Sequence, residues 1–230
     1  GVVKPRALDL FCGAGGMSMG LHRAGWDVTG VDIQPFNAQA DIFGGGVDRY
    51  PFTFIQADAM TVDLRGYDLI CASPPCQDFT RYHRSTSREI APRGNLIPAV
   101  RARLQASGAL WCIENVEGAP MDASVTLCGS MFGLEVRRHR LFETSFAIAQ
   151  PPCDHARWVN KYPCAGNREN PRRTVEVGVW RIPLETQRAA MGIDWMGLER
   201  LSQAIPPAYG EHIGRAAMRA LELQRGAVAC

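Results

Sequence analysis

The sequence predicts an α/β protein built on a doubly wound, mostly parallel sheet with a small inserted lobe. Three observations carry this. Short apolar runs alternate with helix-compatible stretches, the first run leads through a Gly-rich turn into a helix, and the alternation breaks down in a Pro-, Gly- and Arg-rich segment.

Ala7 to Phe11 reads as a buried strand, Cys12 to Gly16 as a turn, Met17 to Ala24 as a helix and Asp27 to Val31 as the second strand. Further strands are expected at Phe52 to Gln56, Asp68 to Ala72 and Leu110 to Glu114, with a helix at Leu96 to Ala106. From Pro151 to Pro183 only Thr174 to Trp180 reads as a strand. Trp158, Tyr162, Val175, Val177, Val179 and Trp180 can pack there, which favours an inserted lobe over a linker. Helical periodicity returns at Glu185 to Met191 and Tyr209 to Gln224. The expected organisation is a main domain over 1–142, a lobe over 143–185, and a segment over 186–230 that rejoins the main sheet.

The chain has 230 residues, of which 46% are hydrophobic, enough for one substantial core. No apolar run approaches the ~20 residues that cross a bilayer, and Gly1 to Arg6 lacks a signal-peptide core, so a soluble, cytoplasmic protein with no membrane partner is expected. Cys12, Cys71, Cys112 and Cys128 lie in apolar or Gly-rich stretches and read as reduced thiols. Cys153, His155 and Cys164 are donor types for zinc, but their spacing fits no common zinc signature, so no metal is expected, and Cys128 and Cys230 read as incidental. A formal charge of +2 is too small to make the whole surface a polyanion trap. Nucleic-acid affinity must come from local clusters, and two are present: Arg81, His83, Arg84, Arg88 and Arg93, and Arg157, Lys161, Arg168, Arg172 and Arg173.

The chemistry-bearing residues fall at the ends of the expected strands. The turn through Gly13, Gly15 and Gly16 lets a nucleotide-like cofactor approach the backbone at a helix N-terminus. Asp32, ending the second strand, suits ribose hydroxyls. Asp58 suits an adenine or, equally, a helix N-cap. Ser73-Pro74-Pro75-Cys76-Gln77 is harder to explain structurally, because two prolines rigidly present a thiol beside a basic loop, where a thiolate is stabilised for attack on an electrophilic carbon. Glu114 places a carboxyl group at the same edge, where burial would let it donate a proton to a heterocycle nitrogen. Arg138 and Arg140, two apart on an expected strand, would share one face and hold a base carbonyl or phosphate.

The order Asp-Leu-Phe-Cys-Gly-Ala-Gly-Gly, Val-Asp, Gln-Ala-Asp, Ser-Pro-Pro-Cys-Gln-Asp-Phe-Thr, Glu-Asn-Val and Arg-Arg-His-Arg-Leu-Phe resembles the cytosine-5 DNA methyltransferase family over residues 7 to 142. It resumes at Ala189 to Gly192 and Ala204 to Tyr209. The resemblance implies a class I methyltransferase, Rossmann-like fold and transfer of a methyl group from S-adenosylmethionine to carbon 5 of a flipped cytosine in double-stranded DNA. It implies Cys76 as the nucleophile at carbon 6, Glu114 at ring nitrogen 3, and Arg138 and Arg140 as cytosine-positioning residues. Phe11, Gly13, Gly15, Gly16, Asp32, Ile33, Asp58, Ala59 and Pro75 would contact the cofactor. The segment 143–185 would hold the target-recognition region, short enough that a partner or a dimer could add contacts. Val136 and Ser202-Gln203 stand where the family usually has Gln and Gly-Asn. The RNA-methylating branch, a catalytically degenerate DNA-binding regulator and a modified donor remain open at this stage, as does the oligomeric state.

Overall fold

The computed structural model describes residues 3–35, 50–75, 94–154, 159–160 and 173–228. Strands β1 (Arg6–Leu10), β2 (Asp27–Asp32), β3 (Thr53–Gln56), β4 (Leu69–Ala72), β5 (Leu110–Val116), β6 (Val125–Leu127) and β7 (Arg140–Thr144) form one sheet. Their order is β3-β2-β1-β4-β5-β7-β6. The pairings β1 with β2, β2 with β3, β1 with β4 and β4 with β5 are parallel, while β7 runs antiparallel between β5 and β6. The expected doubly wound, mostly parallel sheet is present, and β6 is an addition that three residues of periodicity could not announce.

Both faces of the sheet are covered, as parallel strands require. Alternate residues go to opposite sides. Ala7, Leu69, Cys71, Leu110 and Cys112 pack with Met17 and Leu21 of helix α1 (Gly16–Arg23) and with Tyr209, Ile213 and Ala217 of helix α5 (Pro207–Val228). Leu8, Leu10, Ile70, Ala72 and Ile113 face Val100 and Leu104 of helix α2 (Ile97–Ala106). That helix starts with Pro98 in its first turn and buries Ile97, Val100 and Leu104, a spacing of three and four residues that lines one face. Arg101 on α2 holds the buried Glu143 of β7 through two bonds of 2.6 and 2.8 Å, fixing the helix across the antiparallel strand.

Helices α1 and α5 approach so closely that a Cβ at Gly20 would collide with the backbone of Pro207, Gly210 and Glu211. Gly20→Ala is therefore expected to lower stability by about 1–3 kcal/mol, measured by urea unfolding, because the colliding atoms are backbone and not the movable end of a side chain.

A third, smaller core joins Val136, Val175 and Ile182 to helices α3 (Leu184–Met191) and α4 (Leu198–Gln203), together with Ala190, Met191, Ile193, Met196 and Leu201. The expected strand over Thr174 to Trp180 is corrected here. Only Arg173–Thr174 (β9) pairs, with Val159–Asn160 (β8). Beyond it Gly178 adopts φ +87, and the side-chain amide of the fully buried Gln187 takes over the backbone bonding. It accepts from Gly178 N–H at 2.7 Å and donates to the carbonyls of Val179 and Ile182 at 2.8 and 2.7 Å. A side chain thus satisfies backbone groups that a neighbouring strand would otherwise pair. No helix among the described residues is long and apolar enough to cross a membrane, and Cys12, Cys71, Cys112, Cys128 and Cys153 are free thiols.

Candidate active site

In an open parallel sheet, ligands bind beyond the carboxyl ends of the strands where the strand order reverses. Here that point lies between β1 and β4. Their ends are stitched together by Ser73 N–H donating to Leu10 O at 3.1 Å, while Cys12 N–H donates to Val31 O at 3.1 Å.

The turn after β1 begins at Phe11, whose φ of +58 makes it the one non-glycine residue with positive φ among those described. Such a conformation is held only where surrounding structure imposes it. Gly13 follows at φ +49, with nothing within 4 Å of the position a Cβ would occupy, so the turn presents open space to a ligand. The Asp32 carboxylate anchors the turn by accepting from Gly13 N–H at 3.0 Å and from Gln34 N–H at 2.9 Å. Ile33 beside it is 65% exposed, an apolar platform at the strand end. Across the opening, Asp58 is exposed and accepts Met60 N–H at 2.8 Å in a turn, and no helix follows it, so the helix N-cap reading is corrected. Ala59 is buried, with its carbonyl taking Arg103 Nη1 at 2.7 Å, and Pro75 is half-buried.

Beneath the turn lies a buried polar cluster that sequence reasoning did not find. Ser18 donates to Asp9 Oδ2, and the Ser18 and Tyr50 hydroxyls are 2.6 Å apart. Burial pushes the Asp9 carboxyl up to about 7, with the charges of Asp32 and Glu114 adding to the effect and the Ser18 bond opposing it. From the ordinary value of 3.8 up to about 7, the folded chain keeps this proton while the unfolded chain releases it. The associated stability is full at low pH and is lost as pH rises through the folded value. Asp9→Asn cannot ionise. The melting advantage of wild type over Asp9→Asn is therefore expected to shrink between pH 4 and pH 8, by up to about 4 kcal/mol, in paired thermal unfolding curves. A constant gap would show that Asp9 ionises normally.

On the other side of the switch point stands Glu114, 7% exposed. The antiparallel register sets Val116 opposite Arg140 and Glu114 opposite Phe142, so Arg140 reaches Glu114 diagonally on one sheet face. Arg140 Nε lies 3.1 Å from Glu114 Oε1. Burial raises the Glu114 carboxyl above its usual range, opposed by Arg140, by a hydrogen bond from Ser73, and by Arg138. Asn115, 1% exposed, donates from Nδ2 to Pro74 O at 3.0 Å and accepts Val116 N–H at 2.9 Å. This amide ties β5 to the turn whose next residues are Pro75 and Cys76. Ser73 and Asn115 are thus positioning residues that the motifs contained but did not single out.

The expectation that Arg138 and Arg140 share a strand face is corrected. Strand β7 begins at Arg140, and Arg138 lies in the irregular approach to it. The Arg138 guanidinium donates to Ser202 O, and its carbonyl accepts the Tyr209 hydroxyl at 2.8 Å, so residues of α4 and α5 set its position instead of a ladder. It still lies near enough to Glu114 to favour that group's charged form. Trp195, which sequence reasoning also missed, donates from Nε1 to Ala14 O at 2.8 Å and couples the third core to the Gly-rich turn. Cys76, the basic residues from Arg81 to Arg93, and Trp158, Tyr162, His155, Cys164, Arg157, Lys161, Arg168 and Arg172 lie outside the described residues.

Comparison with known proteins agrees with this arrangement. Residues 6–122 match the model of the C-5 cytosine-specific DNA methylase family. The Type II methyltransferase M.HgiDI of Herpetosiphon aurantiacus is 30% identical over 134 residues, covering 56% of this chain and 43% of the relative. The chain thus spans less than half the length of that relative. The Type II methyltransferase M.AquIA of Picosynechococcus sp. is 23% identical, with 91% of this chain and 99% of the relative covered. The fold matches that of a prophage-encoded protein of E. coli assigned as a DNA modification methyltransferase, with TM-score 0.59 and 14% identity over 95% of this chain and 99% of the other. Because the family model spans more than half of its residues, the chain belongs to the C-5 cytosine-specific DNA methylase family.

Proposed function

We propose that the chain transfers the methyl group of S-adenosylmethionine to carbon 5 of a cytosine flipped out of double-stranded DNA. The observation that carries this reading is the buried Glu114, paired with Arg140 and tied through Asn115 to the Pro74 turn that leads into Cys76. The open face over Gly13, the Asp32 carboxylate and the exposed Ile33 fit the amino-acid, ribose and adenine parts of the donor. When bound, the donor supplies an electrophilic methyl on a sulfonium.

Cys76 is assigned the attack of its thiolate on carbon 6 of the cytosine. Glu114, whose carboxyl burial shifts toward the protonated form against the pull of Arg140, is assigned the proton donation to ring nitrogen 3 that neutralises the charge that attack pushes into the ring. Arg140 orients that carboxyl, and Arg138 holds the base beside it. After methylation, loss of the carbon-5 proton to solvent, return of the ring-nitrogen-3 proton to Glu114 and departure of Cys76 as a thiolate restore the aromatic ring and the starting state of both side chains. A stacked base cannot expose both carbons to these groups, which is why extrusion is needed. Residues 143–185 are assigned to target recognition, with 1–142 and 186–230 forming the catalytic domain.

The test is transfer of radiolabel from methyl-labelled S-adenosylmethionine to duplex DNA, transfer RNA and free nucleotides. Label on carbon 5 of duplex cytosine is expected. Label on RNA alone would replace the substrate, and no label despite donor binding would leave a non-catalytic DNA-binding role.

A further inference from the structure

Outside this site, three metal-binding side chains converge from separate parts of the chain. Cys128 is fully buried at the start of the 3₁₀ turn Gly129–Phe132, His139 sits between Arg138 and Arg140, and Cys153 is exposed near the entry to the inserted lobe. One donor atom from each lies within 4.8 Å of the other two. We propose that Cys128, His139 and Cys153 bind a zinc ion that pins the inserted lobe to the strand carrying Arg140.

The geometry favours a metal over packing of apolar thiols. Tetrahedral zinc, with bonds of about 2.3 Å to sulfur and about 2.0 Å to nitrogen, sets ligand sulfur and nitrogen about 3.5 Å apart. Cys153 Sγ lies 3.6 Å from His139 Nε2. The opposite ring nitrogen, His139 Nδ1, lies 3.4 Å from Glu117 Oε1. A carboxylate there holds the proton on Nδ1 and leaves the Nε2 lone pair for the metal, the usual outer partner of a zinc-bound histidine. Ser130 Oγ lies 3.4 Å from both Cys128 Sγ and Cys153 Sγ, placed to donate its one proton to the Cys128 thiolate. Two sulfurs and one imidazole match the preference of zinc, and one tetrahedral position remains for water or another donor. Binding balances by release of the two thiol protons as the sulfurs become thiolates.

The three ligands are separated by 11 and 14 positions, a spacing that matches no zinc signature, so the fold brings them together. The site is separate from methyl transfer, so its test does not depend on the proposed activity. Full-length protein purified without chelator would be assayed for zinc by mass spectrometry and then loaded with Co²⁺. One zinc per chain and a thiolate-to-cobalt charge-transfer band are expected, both lost in Cys128→Ser, Cys153→Ser and His139→Asn and both kept in His22→Asn. His139→Cys, which replaces nitrogen with another sulfur donor, is expected to keep the metal, which separates ligation from damage to the fold. Glu117→Gln should keep the stoichiometry and weaken zinc affinity by about 10-fold or more in competition with a chromogenic chelator. Absence of stoichiometric zinc, a cobalt spectrum without the thiolate band, zinc retained in His139→Asn, or a Cys128–Cys153 disulfide in freshly purified protein would each overturn the proposal.

Discussion

Replacing Cys76 by serine is expected to lower methyl transfer to duplex DNA by about four orders of magnitude or more while leaving S-adenosylmethionine binding intact. A serine hydroxyl at neutral pH holds its proton far more tightly than a thiol and is a weak nucleophile without an adjacent base. The surface proposed to bind the donor comprises the turn through Gly13, where Asp32 accepts Gly13 N–H, and the exposed Ile33, none of which depends on the sulfur. The measurement pairs label transfer with equilibrium binding of the donor. A duplex carrying a cytosine analogue that cannot lose its carbon-5 substituent should form a denaturant-stable complex with wild type and none with the variant. Comparable turnover in both proteins would remove Cys76 from the reaction.

Glu114→Gln is expected to lower kcat by about 10²- to 10⁴-fold with little change in KM. The amide keeps the shape of the carboxyl and can still accept from Arg140 Nε, but it cannot hand a full proton to ring nitrogen 3. The pH profile carries the sharper distinction. In the proposed reaction the neutral carboxyl is the active form, and burial raises its pKa, so the wild-type rate should fall as pH rises through that raised value. The glutamine variant should lack this limb. Parallel profiles would show that Glu114 serves only to support the strand.

Much of this site was legible because its parts sit at strand ends, where short motifs dictate the local chemistry. The Gly-rich turn, Asp32 and Glu114 all fall where the alternation of apolar runs placed them. The less legible parts depend on pairings distant in sequence. Arg138 looks like a strand residue from its spacing to Arg140, yet Ser202 and Tyr209 determine its place. Thr174 to Trp180 has strand composition, yet Gln187 takes the hydrogen bonds that a strand would need. The partnership of Asp9, Ser18 and Tyr50 and the convergence of Cys128 with His139 and Cys153 leave no periodic trace, because each joins elements whose separation is set only by folding.

The close seat of α1 on α5 also governs how the protein is made. Trp26 Nε1 donates to Gly214 O at 3.0 Å across 188 residues of sequence, and the same core buries Met17 and Leu21 under α5. Contacts of such high order form late, since a long loop must close before they are rewarded. On the ribosome, the amino-terminal strands and α1 emerge well before the helix that covers them. Until α5 is released, Met17, Leu21 and Trp26 form an exposed apolar surface open to chaperones and to self-association.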